Sequence, residues 1–197
     1  MSDLRGKLFT ALTGRDGDVS GQTDGDLRGM LMAIGGASGR TKSGIDLTKV
    51  AASLGVTRRT VERWVKTEQE GTGQHPSPEH AKSVATKARQ AATTQAGRRA
   101  ALADSNMRQA FSRGARVSIT GPQGPSADGK NYMRNRTTQL ELRPEDAEAM
   151  MDAWESRGEK GFLAWATSYW GAEYLEDWKF DSADDVRIER PYGGEWR

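Results

Sequence analysis

Two threonines, three arginines and a lysine fall within one ten-residue stretch of the chain, as Thr57, Arg58, Arg59, Thr60, Arg63 and Lys66. A guanidinium presents a planar fork of donors that fits a phosphate or the acceptor edge of a guanine. An ammonium adds a point charge, and a hydroxyl reaches either kind of group at short range. At helical spacing these side chains lie across from Val61 and Val65 and project from one outer face. The chemistry such a face offers is the binding of polyanions and the reading of base edges.

The element that must carry them is set by Ile45 to Lys66. Leu47, Val50, Ala51 and Leu54 recur at helical spacing, Gly55 can take the positive φ that ends a helix, and Thr57 stands where a hydroxyl caps the next one. Val56, Val61 and Val65 continue the apolar stripe, and the small Ala51 and Ala52 permit close helix approach. The stretch reads as a helix-turn-helix with its cations at the front of the second helix, where base contacts are made. The competing reading is an ordinary amphipathic pair with a solvated basic face. Upstream, Asp24 or Asp26 is placed to cap a helix holding Leu27, Met30, Leu31 and Ile34, which makes residues 24–70 a trihelical domain. Arg40 and Lys42 sit in GGASGRTKSG, the composition of a flexible loop that rests against phosphate or merely connects.

On either side the organisation is read more coarsely. Residues 1–23 have a short helical pattern in LRGKLFTALTG, then Gly and Asp, and are expected to be a flexible arm. Residues 71–113 form a linker broken by Gly71, Gly73, Pro76 and Pro78, then a basic connector helix that starts after Ser77 and runs toward Phe111, with Gly97 as an interruption. Its Lys82, Lys87, Arg89, Arg98, Arg99 and Arg108 fit a helix lying on a nucleic-acid backbone and a solvated connector equally well. Residues 114–197 read as an α+β domain. RVSIT, a turn-rich GPQGPSADGKN loop and YMRNRTTQLEL make a β-hairpin, whose Arg134 and Arg136 can touch DNA or guard a sheet edge. A helix opens at Pro144 with Glu145 and Asp146 in its first turn and ends at Gly158. A second, from Lys160 to Trp178, is dense in aromatic residues that cover a core under the hairpin or a dimer interface. A strand at Val186 to Glu189 precedes a disordered end. The fold class expected is mainly α with a small β-hairpin, that is α+β.

Charge divides the chain more sharply than its net value of +2 suggests. Arg40 to Arg116 holds 15 Lys or Arg against 6 Asp or Glu, whereas Glu141 to Arg197 holds 7 against 15. The first segment suits a polyanion and the second repels one. A hydrophobic fraction of 35%, 23 glycines and a mean hydropathy of −0.77 point to substantial loop. With no cysteine there are no disulfides or thiolate metal sites, and the two histidines, His75 and His80, share a Pro-containing linker, so no metal and no cofactor are expected. No phosphate loop of the GxxxxGK[ST] kind occurs, and no specific catalytic set is found. Without a leader-like start or a membrane-length apolar run, a cytoplasmic, nucleoid-associated location is expected.

LTKVAASLGVTRRTVERWV, the preceding helix near Leu27 to Ile34, RQAATTQAGRR, RVSIT and RNRTTQLELRPEDAEAMMDAW follow one another in this chain. In order and spacing, over roughly Asp24 to Trp154, they resemble the telomere terminal proteins of linear actinobacterial chromosomes and plasmids. The long hairpin loop and the Trp-rich acidic tail depart from that pattern. The resemblance implies a protein that binds telomeric DNA, often single-stranded and folded back, and whose own hydroxyl primes DNA synthesis by a separate polymerase, with a telomere-associated protein as a further partner. A hydroxyl oxygen would then attack the α-phosphate of a nucleotide in place of a sugar 3′-hydroxyl. Thr120, Ser126, Tyr132, Thr137 and Thr138 are the candidates for that oxygen. The rival expectation is a helix-turn-helix transcriptional regulator or plasmid maintenance protein that reads a duplex operator as a homodimer. A nuclease or recombinase is disfavoured for want of a catalytic set.

Overall fold

The computed structural model describes residues 4–70, 74–127 and 130–190. Among them the chain forms eight helices and five strands, a mixed α+β architecture. It divides into two compact units, Gly14–Ser105 and Met1–Thr13 with Asn106–Arg197.

The first unit is wholly helical apart from one isolated bridge. It contains α2 (Leu27–Gly35), α3 (Leu47–Leu54), α4 (Arg58–Glu70), α5 (Pro78–Thr93) and α6 (Gln95–Ala103). Met30, Leu31 and Ala33 of α2, Val50 of α3, Val61 and Trp64 of α4, and Val84 and Ala88 of α5 are buried together with Ile45. This corrects the division at residue 70. The basic segment is no connector, because its Val84, Ala85, Ala88 and Ala92 stripe packs on α2 and α3 while Lys82, Lys87 and Arg89 face out. Nor does it run to Phe111. Thr94 ends α5 and restarts the chain as α6, its hydroxyl accepting from the Gly97 amide at 3.0 Å. At Gly97 a Cβ would lie 2.2 Å from the Gln90 carbonyl oxygen, so the glycine permits the tight join. Arg98 is turned inward and donates to the Ala92 carbonyl at 3.0 Å, which removes it from any basic face.

Of the expected arm, residues 1–3 lie outside the described residues, and residues 4–23 are not an arm in the structure. Leu4–Thr13 is α1, and its Leu8, Phe9 and Leu12 are fully buried in the second unit against β5 (Asp185–Glu189) and α8 (Pro144–Glu173). Residues 14–23 belong to the helical unit, where Val19 is buried and the Arg15 guanidinium donates to the Ala33 carbonyl and pairs with Asp104.

In the second unit, α7 (Met107–Ala110) leads into an antiparallel sheet centred on β1 (Ala115–Ala127). β1 pairs along one side with β3 (Arg134–Leu142) and β2 (Lys130–Asn131), and along the other with β5 and β4 (Trp178–Phe180). The hairpin is thus present, but most of its expected loop is strand. Pro122 and Pro125 lack an N–H, yet their carbonyls accept from Asp181 and Tyr132, so the prolines sit where only an acceptor is required. α8 carries a break at Gly158 (φ 60°, ψ −139°), where the expected first helix ends. The second segment stops at Glu173 rather than Trp178, and after Asp177 (φ 58°) the chain turns into β4. Trp154, Phe162, Trp170 and Trp178 are buried, as are Val117 and Ile119 of β1, so these aromatic residues are core. The disordered end expected after Glu189 falls largely on 191–197, outside the described residues.

Candidate nucleic-acid interface

Each local device that shapes α3 and α4 can be traced to a residue. Asp46 accepts the amides of Thr48 and Lys49 at 3.1 Å and so caps α3. Gly55 takes a left-handed φ of 67° and ends it. Thr57 then opens α4, its Oγ1 accepting the Thr60 amide at 3.2 Å and lying 2.8 Å from the Thr60 hydroxyl. The two hydroxyls expected to meet DNA therefore already serve each other, although both atoms lie on the outside. Val61, Trp64 and Val65 are buried, and Arg58, Arg59, Arg63 and Lys66 are exposed around them.

The loop that bears Arg40 and Lys42 is more ordered than its composition predicts. Ala37 bridges Ile45, Ser38 N–H donates to the Gly44 carbonyl at 2.8 Å, and Asp46 N–H donates to the Gly36 carbonyl at 3.0 Å. The Thr41 hydroxyl donates to the Ile45 carbonyl, and Arg28 reaches across from α2 to the Ser43 carbonyl, both at 2.8 Å. Ser38, Thr41 and Ser43 thus supply hydrogen bonds that replace a longer strand pair, and Gly44 (φ 74°) allows the return. Composition suggested flexibility because Gly and Ser are scored alike in linkers and in such tightly bonded turns.

This pinned loop stands over α4. Between them lies a cleft of about 360 Å³ lined by Arg40, Lys42, Arg58 and Lys66, with Glu62 as its acidic group and Leu47 and Val65 at its apolar side. Arg58 pairs with Glu62 at 3.0 Å, an exposed i,i+4 contact of small stabilising value. Arg40, Lys42, Arg59 and Lys66 have no ion-pair partner among the described residues. The structure therefore brings the loop cations and the helix cations together, a juxtaposition that sequence alone did not join, and it places Glu62 among them.

The hairpin residues are arranged differently. Arg134 is exposed, but Arg136 faces the sheet's covered side, its guanidinium carbon 5.5 Å from the Trp178 ring centre and its Nη2 directed at the Tyr132 carbonyl. Arg136 is a packing residue rather than a free cation, which corrects the reading of it as a DNA contact. Thr138 is 8% exposed, donates to the Gln123 side-chain oxygen at 2.6 Å and accepts from the Trp170 indole at 2.9 Å. Its hydroxyl is closed to a nucleotide and is no primer candidate. The hydroxyls of Thr120 and Thr137 bond each other across the strands at 2.7 Å. Ser126 is half-buried, whereas Thr137 and Tyr132, the latter at 45% exposure, are both exposed.

Arg108, expected on the basic helix, lies in the second unit beside Asp152, Glu155 and Glu148. Its hydrogen bond to Asp152 raises its pKa, outweighing the opposing effect of burial. No group of three acidic or histidine side chains among the described residues is arranged to hold a metal. No described helix is long and apolar enough to cross a membrane.

No family model, curated protein or solved structure matches this chain.

Proposed function

We propose that this protein binds DNA through α4. In this reading α3, the Gly55 turn and α4 act as a helix-turn-helix. Arg58, Arg59 and Arg63 enter the major groove with Thr57 and Thr60, while Arg40, Lys42 and Lys66 hold the flanking phosphates. The observation that carries it is the gathering of exposed cations, most of them without acidic partners, on one helix and the rigid loop beside it. Cations left unneutralised in this way release condensed counterions when they meet a duplex, so binding must weaken steeply with salt. The test is an electrophoretic or fluorescence titration of the full chain with duplex DNA across a salt series. A flat salt response, or no binding at low salt, would refute the reading.

The resemblance to telomere terminal proteins makes the ends of linear replicons the DNA class to try first. Incubation with a DNA polymerase, telomeric template and labelled nucleotide, followed by denaturing electrophoresis, tests protein priming. Among the hydroxyls considered, Tyr132 and Thr137 are exposed but that of Thr137 is bonded to Thr120, so Tyr132 is the first to test, and label retained by wild type but lost in Tyr132→Phe supports that role. Preference for a palindromic duplex over hairpin or single-stranded ends would favour the operator-binding regulator instead.

A further inference from the structure

The cleft beside α4 has features that groove reading does not use. Its volume of about 360 Å³ lies within the range of small-molecule sites, roughly 300–1,000 Å³, and exceeds what a single backbone phosphate fills. Its walls come mainly from two elements, the 38–44 turn and α4. The 38–44 turn is pinned by its own hydrogen bonds, and α4 presents Arg58, Glu62, Val65 and Lys66 at successive turns of one stripe. Four cations face one carboxylate, and that carboxylate is engaged by Arg58. Three like charges at Arg40, Lys42 and Lys66 remain without an ionic partner, an arrangement that an anion relieves. Buried Leu47 and Val65 line the apolar side, so the cleft offers non-polar contact as well as charge. Charge at the rim and an apolar wall suit a phosphorylated organic molecule better than a bare inorganic ion.

We propose that this cleft seats a free phosphorylated small molecule of nucleotide size, its phosphates on Arg40, Lys42 and Lys66 and its organic part against Leu47 and Val65. Because these cations are the ones assigned above to DNA phosphates, occupancy of the cleft and binding of DNA exclude each other. That second step rests on the proposed function; the cleft's own affinity does not. The loop and helix thus form a site at which a soluble phosphate compound releases the protein from DNA.

The experiment uses the full chain, with ATP and inorganic pyrophosphate as probes in separate calorimetric titrations without magnesium. The expected result is saturable one-to-one binding of ATP, tighter than pyrophosphate, weakened at least about tenfold in Lys42→Ala/Lys66→Ala. Both lysines are exposed, so circular dichroism is expected to stay as in the wild type. Arg59→Ala, outside the cleft lining, is expected to keep ATP affinity within about twofold while weakening DNA. In a DNA titration, ATP is expected to raise the apparent Kd of wild type in proportion to its occupancy. No saturation by about 1 mM ATP, or ATP affinity unchanged in the folded double variant, overturns the cleft as a nucleotide site. ATP binding that leaves DNA affinity untouched overturns the exclusion. ATP binding by a chain that binds no DNA keeps the cleft and defeats the proposed function instead.

Discussion

In the helical unit Arg40, Lys42, Arg59 and Lys66 stand in solvent with no acidic partner among the described residues. In the mixed unit Arg5 meets Glu159 at 2.9 Å, Lys7 meets Asp185 at 3.1 Å, Arg116 meets Glu141 at 2.5 Å and Arg143 meets Asp146 at 2.8 Å. Arg108 is surrounded by three carboxylates. The same side chain thus has two uses. Where carboxylates are within reach, a cation ties neighbouring segments together, as Arg5 and Arg108 do for α8, and contributes little outward field. Where they are not, its charge remains available to a partner. The difference teaches that a count of cations along a sequence says less about polyanion binding than the count that survives internal pairing.

The largest expected effect tests whether the mixed unit is a scaffold independent of the basic face. Trp170 is fully buried and its indole donates to Thr138, so Trp170→Ala is expected to destabilise that unit by about 3–5 kcal/mol in chemical denaturation. DNA affinity per folded molecule should not change; a parallel loss would break the comparison. Next, Lys42→Ala/Arg59→Ala/Lys66→Ala, which removes three exposed cations without an acidic partner among the described residues, is expected to weaken DNA binding roughly 100-fold at physiological salt and to lower the salt slope by about 2 to 3. The matching triple Arg108→Ala/Arg116→Ala/Arg143→Ala should move affinity by less than about threefold, since those charges are already compensated. Equal losses in the two triples would show that the field, and not pairing, decides.

Smaller effects sharpen the contrast. Thr57→Ala removes the cap of α4 and is expected to cost about 1 kcal/mol in the helical unit's stability while leaving the mixed unit's transition in place. The mixed unit should respond instead to alkali. Burial, followed by the nearby charges of Asp146 and Glu173, pushes the Tyr169 phenol up to about 12 from its ordinary 10. A raised pKa means that the native state favours the neutral phenol. Its contribution is complete below pH 10 and is lost as pH rises through 10 toward about 12. Denaturation midpoints should fall more over that window in wild type than in Tyr169→Phe, and identical slopes would remove Tyr169 from the account.

Much of the helical unit was legible because its signals are local. Gly55, Thr57, Ser77 and Pro78 each act within four residues, and each occupies the expected end or start of a helix. The break at Gly158 was legible for the same reason. The errors are long-range. α1 showed Leu4, Leu8, Phe9 and Leu12, but nothing nearby in sequence reveals that β5 covers them. Pro122 and Pro125 marked a loop by propensity, whereas pairing on both sides of β1 keeps the chain extended. Arg136 is a different case. Strand alternation places it on the same side as Thr138, Leu140 and Leu142, so the leucines that pointed inward already implied that Arg136 and Thr138 do too. Its charge was given more weight than its parity. The cleft was legible only in part, since Arg40 and Lys42 were picked out by composition but their approach to α4 depends on hydrogen bonds to Arg28 and Ile45.

The course of α1 has a consequence for how the protein is made. Lys7 bonds the Asp184 carbonyl at 2.6 Å, so α1 waits for residues some 177 positions later before it can dock. On the ribosome, the 14–105 segment emerges and can finish folding while Leu8, Phe9 and Leu12 still lack their cover. The apolar face of α1 thus stays uncovered until residues 185–189 have emerged, which makes it a natural target for a chaperone that shields apolar helices until release.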